Sequence, residues 1–211
     1  MSPFGMLGRM FCWLHACDAR ARLPDRHASF RIGFMEVVVL WFSMDARPRS
    51  WQAGNRGFIP LESDFERKRC VKLISAGQLT EIWYWENYLR GIITLKGHDI
   101  RNLENIFVQF YEQMTLLQPE KPEPMLNILA CFERGEWIVH LIPRKVHRPD
   151  RFFAGGEDQI LLSPASVDIG GVLITPRESD FTRLSETDIA DIFSQVCYSD
   201  NEILQIVKNI V

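Results

Sequence analysis

No Cys-x-x-Cys pair occurs in this sequence, and its five cysteines, Cys12, Cys17, Cys70, Cys131 and Cys197, form an odd set at irregular spacing. That pattern argues against a disulfide framework and a structural zinc site, and a reducing, cytoplasmic setting is the simplest expectation. Long hydrophobic runs are missing as well. No segment reaches the ~20 consecutive apolar residues of a membrane span. The apolar stretch from Met10 to Cys17 is too short, and interrupted by His15, to act as a secretory signal. Surplus charge of one sign is also lacking: a net charge of −3 over 211 residues offers no long-range attraction for nucleic acid or an anionic membrane. Neither is an expected partner, and a small ligand is. The motifs G-x-x-x-x-G-K-[ST], G-x-G-x-x-G and G-x-S-x-G are absent, and His and carboxylates never recur at ligand spacing on one element. P-loop phosphoryl transfer, dinucleotide redox chemistry and serine hydrolysis lose support, and no metal or other cofactor is expected.

What is present is uneven along the chain. The first fifty residues hold seven arginines and no lysine, five methionines and two tryptophans, with one strand-like run from Val37 to Phe42. They read either as an irregular arm carrying a strand or as a sequence foreign to the fold that follows. From Val71 the texture changes, and an apolar fraction of 46% gives the whole chain enough material for one core. Val71–Ala76, Thr80–Tyr84 and Gly91–Leu95 read as strands. From Asp99, apolar residues at Ile100, Leu103, Ile106, Phe107, Phe110, Met114 and Leu117 recur at helical spacing and predict a helix with one buried face. Gln118–Pro124, with three prolines, ends it and reads as a linker. Leu126–Phe132 and Trp137–Ile142 are strand-like, and Glu133-Arg134-Gly135-Glu136 between them predicts a tight antiparallel hairpin. Short strands are expected at Ile160–Leu162 and Val172–Thr175. Ser185 with Asp188 predicts a capped helix start, and Asp200 a second one. The fold class expected is α+β, an antiparallel sheet with a long packed helix and helices at the C-terminus.

The cluster Arg144-Lys145-Val146-His147-Arg148 directly follows a predicted strand and is closed by Pro149. A planar Arg fork, a mobile Lys charge and a His donor within one loop suit a phosphate group, and ordinary solvated surface is the competing reading. Asn127 on the partner strand could orient a ribose or phosphate, or simply face water. His140 alternates with Ile138 and Ile142 and is expected to be packed, without a role. His98 belongs with the opening of the helix at Asp99. Asp168, Gly170 and Gly171 mark a close backbone approach that packing explains better than a ligand.

Together, Gln52-Ala53-Gly54-Asn55-Arg56-Gly57-Phe58, the hairpin from Asn127 to Pro143, the run from Arg144 to Pro149 and the segment from Leu162 to Pro176 resemble a bacterial family of uncharacterised proteins. That family is similar to the GDP-hexose phosphorylases and diadenosine-tetraphosphate phosphorylases of the histidine-triad superfamily. The resemblance covers residues 51–211 as a partial histidine-triad-like domain, with residues 1–50 as an atypical N-terminal segment that leaves the sheet incomplete. It implies a nucleotide or nucleotide-sugar and inorganic phosphate as ligands, and a homodimer as an available assembly. In the superfamily a His-x-His-x-Gln motif supplies a nucleophilic histidine that takes the nucleotidyl group from the substrate's α-phosphorus, and phosphate then resolves the intermediate. Gln52 matches the glutamine that steadies the phosphoryl oxygens. The nucleophile's position is Ser50 and the preceding histidine's is Pro48, so the chain is expected to transfer poorly or not at all. The resemblance also places Gly54 and Asn55, with Asn127, Arg144, Lys145, His147 and Arg148, among the nucleotide- or phosphate-contacting residues. Alternatives are a non-catalytic nucleotide- or phosphate-binding domain and a structural remnant without ligand. Arg47-Pro48-Arg49-Ser50 can be encoded so that a one-nucleotide shift reads Asp-His-Val-His, which would restore the motif ahead of Trp51-Gln52.

Overall fold

The structure, a computed structural model, describes the strand pairing of residues 27–32 and 35–41, then Leu61, Phe65, and residues 71–76 and 80–210. Strands β1 (His27–Ile32) and β2 (Met35–Trp41) pair antiparallel, and β2 runs parallel to β8 (Val172–Thr175), with Val38 opposite Val172. The larger sheet is antiparallel and five-stranded, in the order β3 (Val71–Ala76), β4 (Thr80–Trp85), β5 (Ile93–Gly97), β7 (Glu136–Pro143), β6 (Leu126–Glu133). The β6–β7 hairpin closes at Arg134 and Gly135, both at positive φ (53° and 81°). Two successive left-handed residues match the strand twist, and the glycine takes its share without steric cost.

Helix α1 (Ile100–Leu117) connects β5 to β6 and lies on one face of this sheet. Leu103, Phe107, Phe110 and Met114 are its buried residues, packed with Ile82, Tyr84, Ile93, Leu95, Val139 and Leu141. Burying those four side chains stabilises by about 6–12 kcal/mol before conformational entropy is subtracted. Leu117, expected to face inward, is 51% exposed, while Gln118 is buried. Gln118 stands four residues after Met114 and takes the inward position of the last turn, with its amide fully engaged. Its Nε2 donates to the Arg144 carbonyl (2.8 Å) and to the Tyr198 hydroxyl (3.0 Å), and its Oε1 accepts from the Met125 amide (2.9 Å). The expected linker therefore begins with a bracket between distant segments.

Beyond β7 the chain builds short helices, α2 (Asp150–Phe153), α3 (Ser166–Ile169), α4 (Glu178–Arg183), α5 (Glu186–Val196) and α6 (Asp200–Lys208). Ser185 and Asp188 cap α5 reciprocally as expected, at 3.2 and 3.0 Å. Ser199, rather than Asp200, caps α6: Ser199-Asp200-Asn201-Glu202 is a complete Ser-x-x-Glu box, with Ser199 N donating to the Glu202 carboxylate at 2.8 Å. Asp200 instead accepts from the Asn87 amide at 3.0 Å. Ile160 and Leu162 are buried but form no strand, because their segment's amides leave the ladder: Ile160 N donates to Arg151 O, and Leu161 N to the Asp180 carboxylate.

Helix α6 joins α1 on one sheet face, through Ile203, Ile206 and Val207. The opposite face carries a second core, in which Trp85, Tyr88 and Ile142 meet α5 through Ile189, Ile192, Phe193 and Val196. Gly91 lies where the two regions meet: its amide donates to Tyr198 O at 2.7 Å, and a Cβ there would stand 2.7 Å from Ser199 O and 2.9 Å from Tyr198 O. Only glycine permits that approach. It ties the end of the β4–β5 connection to the loop that precedes α6, next to the start of the basic segment.

A clamped basic loop as the candidate functional site

The basic segment leaves β7 at Pro143 and is held at once. Arg144 N donates to Met125 O (2.9 Å) and Lys145 N to Val196 O (2.8 Å), wedging the chain between the start of β6 and the end of α5. The Arg144 side chain then turns inward. It is 6% exposed, and its Nη2 donates to the carbonyls of Val146 (3.2 Å) and His147 (2.6 Å), with Nη1 3.4 Å from Asn127 Oδ1. Its Nε is buried without a hydrogen-bond partner. Burial pulls the guanidinium below the ordinary arginine range, against the opposing influence of Cys197 and Asp168. Arg144 is thus an internal clamp on the loop backbone rather than an open fork.

Asn127 is drawn into the same bridge, donating through Nδ2 to Ser166 Oγ at 2.8 Å. Asp168 closes the far side, accepting from Ala165 N and Ile174 N, both at 2.9 Å. Burial raises its carboxyl above the ordinary aspartate value in spite of those two hydrogen bonds. Asp168 therefore stitches α3 to β8, in line with a packing role. Lys145 is diverted: its Nζ pairs with the Glu202 carboxylate at 2.9 Å and lies 5.5 Å from the Tyr198 ring centre.

Val146, His147 and Arg148 are exposed on this clamped backbone, and of the three His147 and Arg148 carry polar side chains. The His147 carbonyl takes the Arg144 guanidinium on one side and Ser163 Oγ (3.4 Å) on the other. Arg148 rests its guanidinium 4.2 Å above the Phe152 ring. An imidazole and a planar cation, projecting side by side from a fixed loop, can meet phosphate oxygens without a large ordering cost. Of the sequence candidates, then, Asn127 and Arg144 are brought together as support and His147 and Arg148 are presented outward. Ser50, Gln52, Gly54 and Asn55 lie outside the described residues.

Three buried polar groups went unremarked or unassigned in the sequence. Gln118 carried a readable signal, a polar residue at an inward helical position. Arg90 carried none: wholly buried, it donates to the Ile169 carbonyl and to the Tyr88 hydroxyl (3.2 Å) and stacks on Phe193 (4.8 Å), and no carboxylate among the described residues pairs with it. His140 is buried, as its alternation implied, but in a specific network. Trp85 Nε1 donates to Thr94 Oγ1 (2.8 Å), and the same hydroxyl is hydrogen-bonded to His140 Nδ1 (2.7 Å). Burial drives this imidazole's pKa down to about 3, so it is neutral at ordinary pH. Cys197, also buried beside the site, has its thiol pushed up to about 11 by burial and is no nucleophile. Among the described residues, no group of three His, Cys, Asp or Glu side chains is placed to hold a metal ion, and no helix is long and apolar enough to cross a membrane.

No curated protein and no solved structure matches the chain. A family model described as GDPGP1-like, C-terminal domain, matches residues 65–211, a span that takes in the five-stranded sheet, the hairpin and the whole basic loop. The chain belongs to that GDPGP1-like C-terminal domain family, which relates it to the GDP-hexose phosphorylases.

Proposed function

We propose that this chain is a nucleotide- or nucleotide-sugar-binding domain of phosphorylase descent and histidine-triad type, with its transfer chemistry disabled. The observation that carries the reading is the clamped loop, where a buried Arg144 fixes the backbone from which His147 and Arg148 project. In this reading His147 and Arg148 meet the phosphates, Lys145 adds charge from its pair with Glu202, and Asn127 braces the loop. Gln52, Gly54 and Asn55 complete the phosphate contacts. Ser50 occupies the nucleophile's place and Pro48 that of the preceding histidine. A serine hydroxyl without an adjacent base is a weak nucleophile at neutral pH, so the nucleotidyl-enzyme does not form at a useful rate.

Calorimetry with GDP, ADP and diadenosine tetraphosphate tests binding, and phosphorolysis of a GDP-hexose, followed as GDP release, tests chemistry. The parent is expected to bind GDP and release it only at background. Ser50→His is expected to raise release by roughly a hundredfold or more, a fraction of what nucleophile loss costs in other covalent enzymes. Equal rates in the two proteins sink the assignment of Ser50, and absent binding of every nucleotide leaves a structural remnant.

Residues 1–50 are, in the same proposal, out of frame with the family-like remainder. The codons for Arg47 to Ser50 are then expected to read Asp-His-Val-His in a neighbouring frame. Codons that cannot do so make the segment a genuine divergent arm.

A further inference from the structure

Phe153 is 69% exposed, beside the basic loop and close to the tip of α2. Its setting is stiff. Pro149 opens α2, Asp150 N donates to Gln195 Oε1 (2.8 Å), Arg151 pairs with Asp188 (2.8 Å), and Gln159 Nε2 donates to the Phe152 carbonyl (3.3 Å). The Phe152 ring meets Phe153 edge-on, with centroids 5.3 Å apart and planes at 72°, and holds Arg148 on its own face at 4.2 Å. An aromatic face kept in water by a rigid support, one ring away from a planar cation, is a surface with two distinct chemistries. The ring offers stacking to any flat π-system, and Arg148 with His147 offers charge to an anion.

We propose that this surface is the base-binding half of the nucleotide site: the nucleobase stacks on Phe153 while the diphosphate lies against Arg148 and His147. The inference rests on the nucleotide reading above and adds the group that recognises the base. Charge complementarity selects the occupant. A hydrophobic peptide has no use for the two cationic or titratable side chains, and an inorganic anion has none for the ring. A long polyanion meets Asp150, Glu157 and Asp158, all exposed around α2, so a single nucleotide fits better than a nucleic-acid strand. Stacking on one ring reads the presence of a base more than its identity, and a purine overlaps the ring more fully than a pyrimidine does.

The test compares GDP with inorganic pyrophosphate, which carries the same kind of anionic charge and no base, by calorimetry on the full chain. The parent is expected to bind GDP at least tenfold more tightly than pyrophosphate. Phe153→Ala is expected to weaken GDP about tenfold, the usual worth of one stacked base, with pyrophosphate unchanged. Phe153→Trp restores GDP affinity, whereas Arg148→Ala weakens both ligands. Unaltered thermal unfolding of Phe153→Ala confirms that an exposed ring was removed without harm to the fold. Full GDP affinity in Phe153→Ala, or equal affinity of the parent for GDP and pyrophosphate, overturns the base platform and leaves the phosphate reading standing. No binding of either ligand to the parent overturns both.

Discussion

Asp180→Ala is expected to lower the unfolding free energy by about 3 kcal/mol, the low end for breaking a buried ion pair, because its two guanidinium partners are each about a third exposed. The Asp180 carboxylate is itself fully buried. It accepts the Arg177 fork at 2.8 and 2.9 Å, Arg183 Nη2 at 2.8 Å and the Leu161 amide at 3.0 Å. Arg177 in turn grips Gln159 through its backbone and side-chain oxygens, at 2.8 and 3.0 Å. Removing the carboxylate therefore releases α4, the 159–162 segment and the foot of α2 together. Burial alone would raise this carboxyl's pKa, but the Arg177 and Arg183 hydrogen bonds outweigh it and hold the value below the ordinary range. The sign follows: the contribution is present above the unfolded carboxylate's pKa and is lost as pH falls through the folded one. Urea unfolding at pH 7 measures it, with Asp180→Asn separating charge from hydrogen bonding. A loss under about 1 kcal/mol would place Asp180 with ordinary surface pairs.

The second large effect belongs to His140 and runs over a different pH window. Its folded pKa is depressed to about 3 by burial, against 6.5 for the free side chain. Among the described residues its ring meets Thr94, Trp85 and Phe65, none of which supplies a counter-charge. As pH falls below 6.5 the unfolded chain takes up a proton that the folded chain refuses. Stability is therefore complete above pH 6.5 and declines by up to about 1.4 kcal/mol per pH unit toward pH 3. Urea unfolding at pH 7, 6, 5 and 4 should show this slope in the parent and a shallower one in His140→Gln. Identical slopes in the two proteins between pH 6 and 5 would mean that His140 gains charge without difficulty in the fold, since the raised Asp168 carboxyl is common to both.

Much of the scaffold was legible because it is local. The helix over 100–117 follows from apolar spacing, the hairpin from Arg134-Gly135, and the start of α5 from Ser185 with Asp188, each decided by contacts within a few residues. Where local signals misled, a longer-range partner had intervened. Ile160–Leu162 reads as a strand, yet Leu161 gives its amide to Asp180, nineteen residues away. Leu117 yields its inward place to Gln118, which bonds to a carbonyl twenty-six residues on.

The site divides in the same way. Sequence alone determined that Asn127 and the cluster from Arg144 to Arg148 share one hairpin and its exit, and that no histidine precedes Gln52 where the resemblance calls for one. Tertiary structure alone decided which of those cations is engaged internally and which is exposed. Arg144 is spent on the loop's own carbonyls and Lys145 on Glu202, while His147 and Arg148 are left exposed, beside a phenylalanine that no periodicity had singled out. The reason is physical: a strand or helix is set by short-range sterics and periodicity, whereas the role of a long charged side chain depends on desolvation and on partners that folding brings from far along the chain.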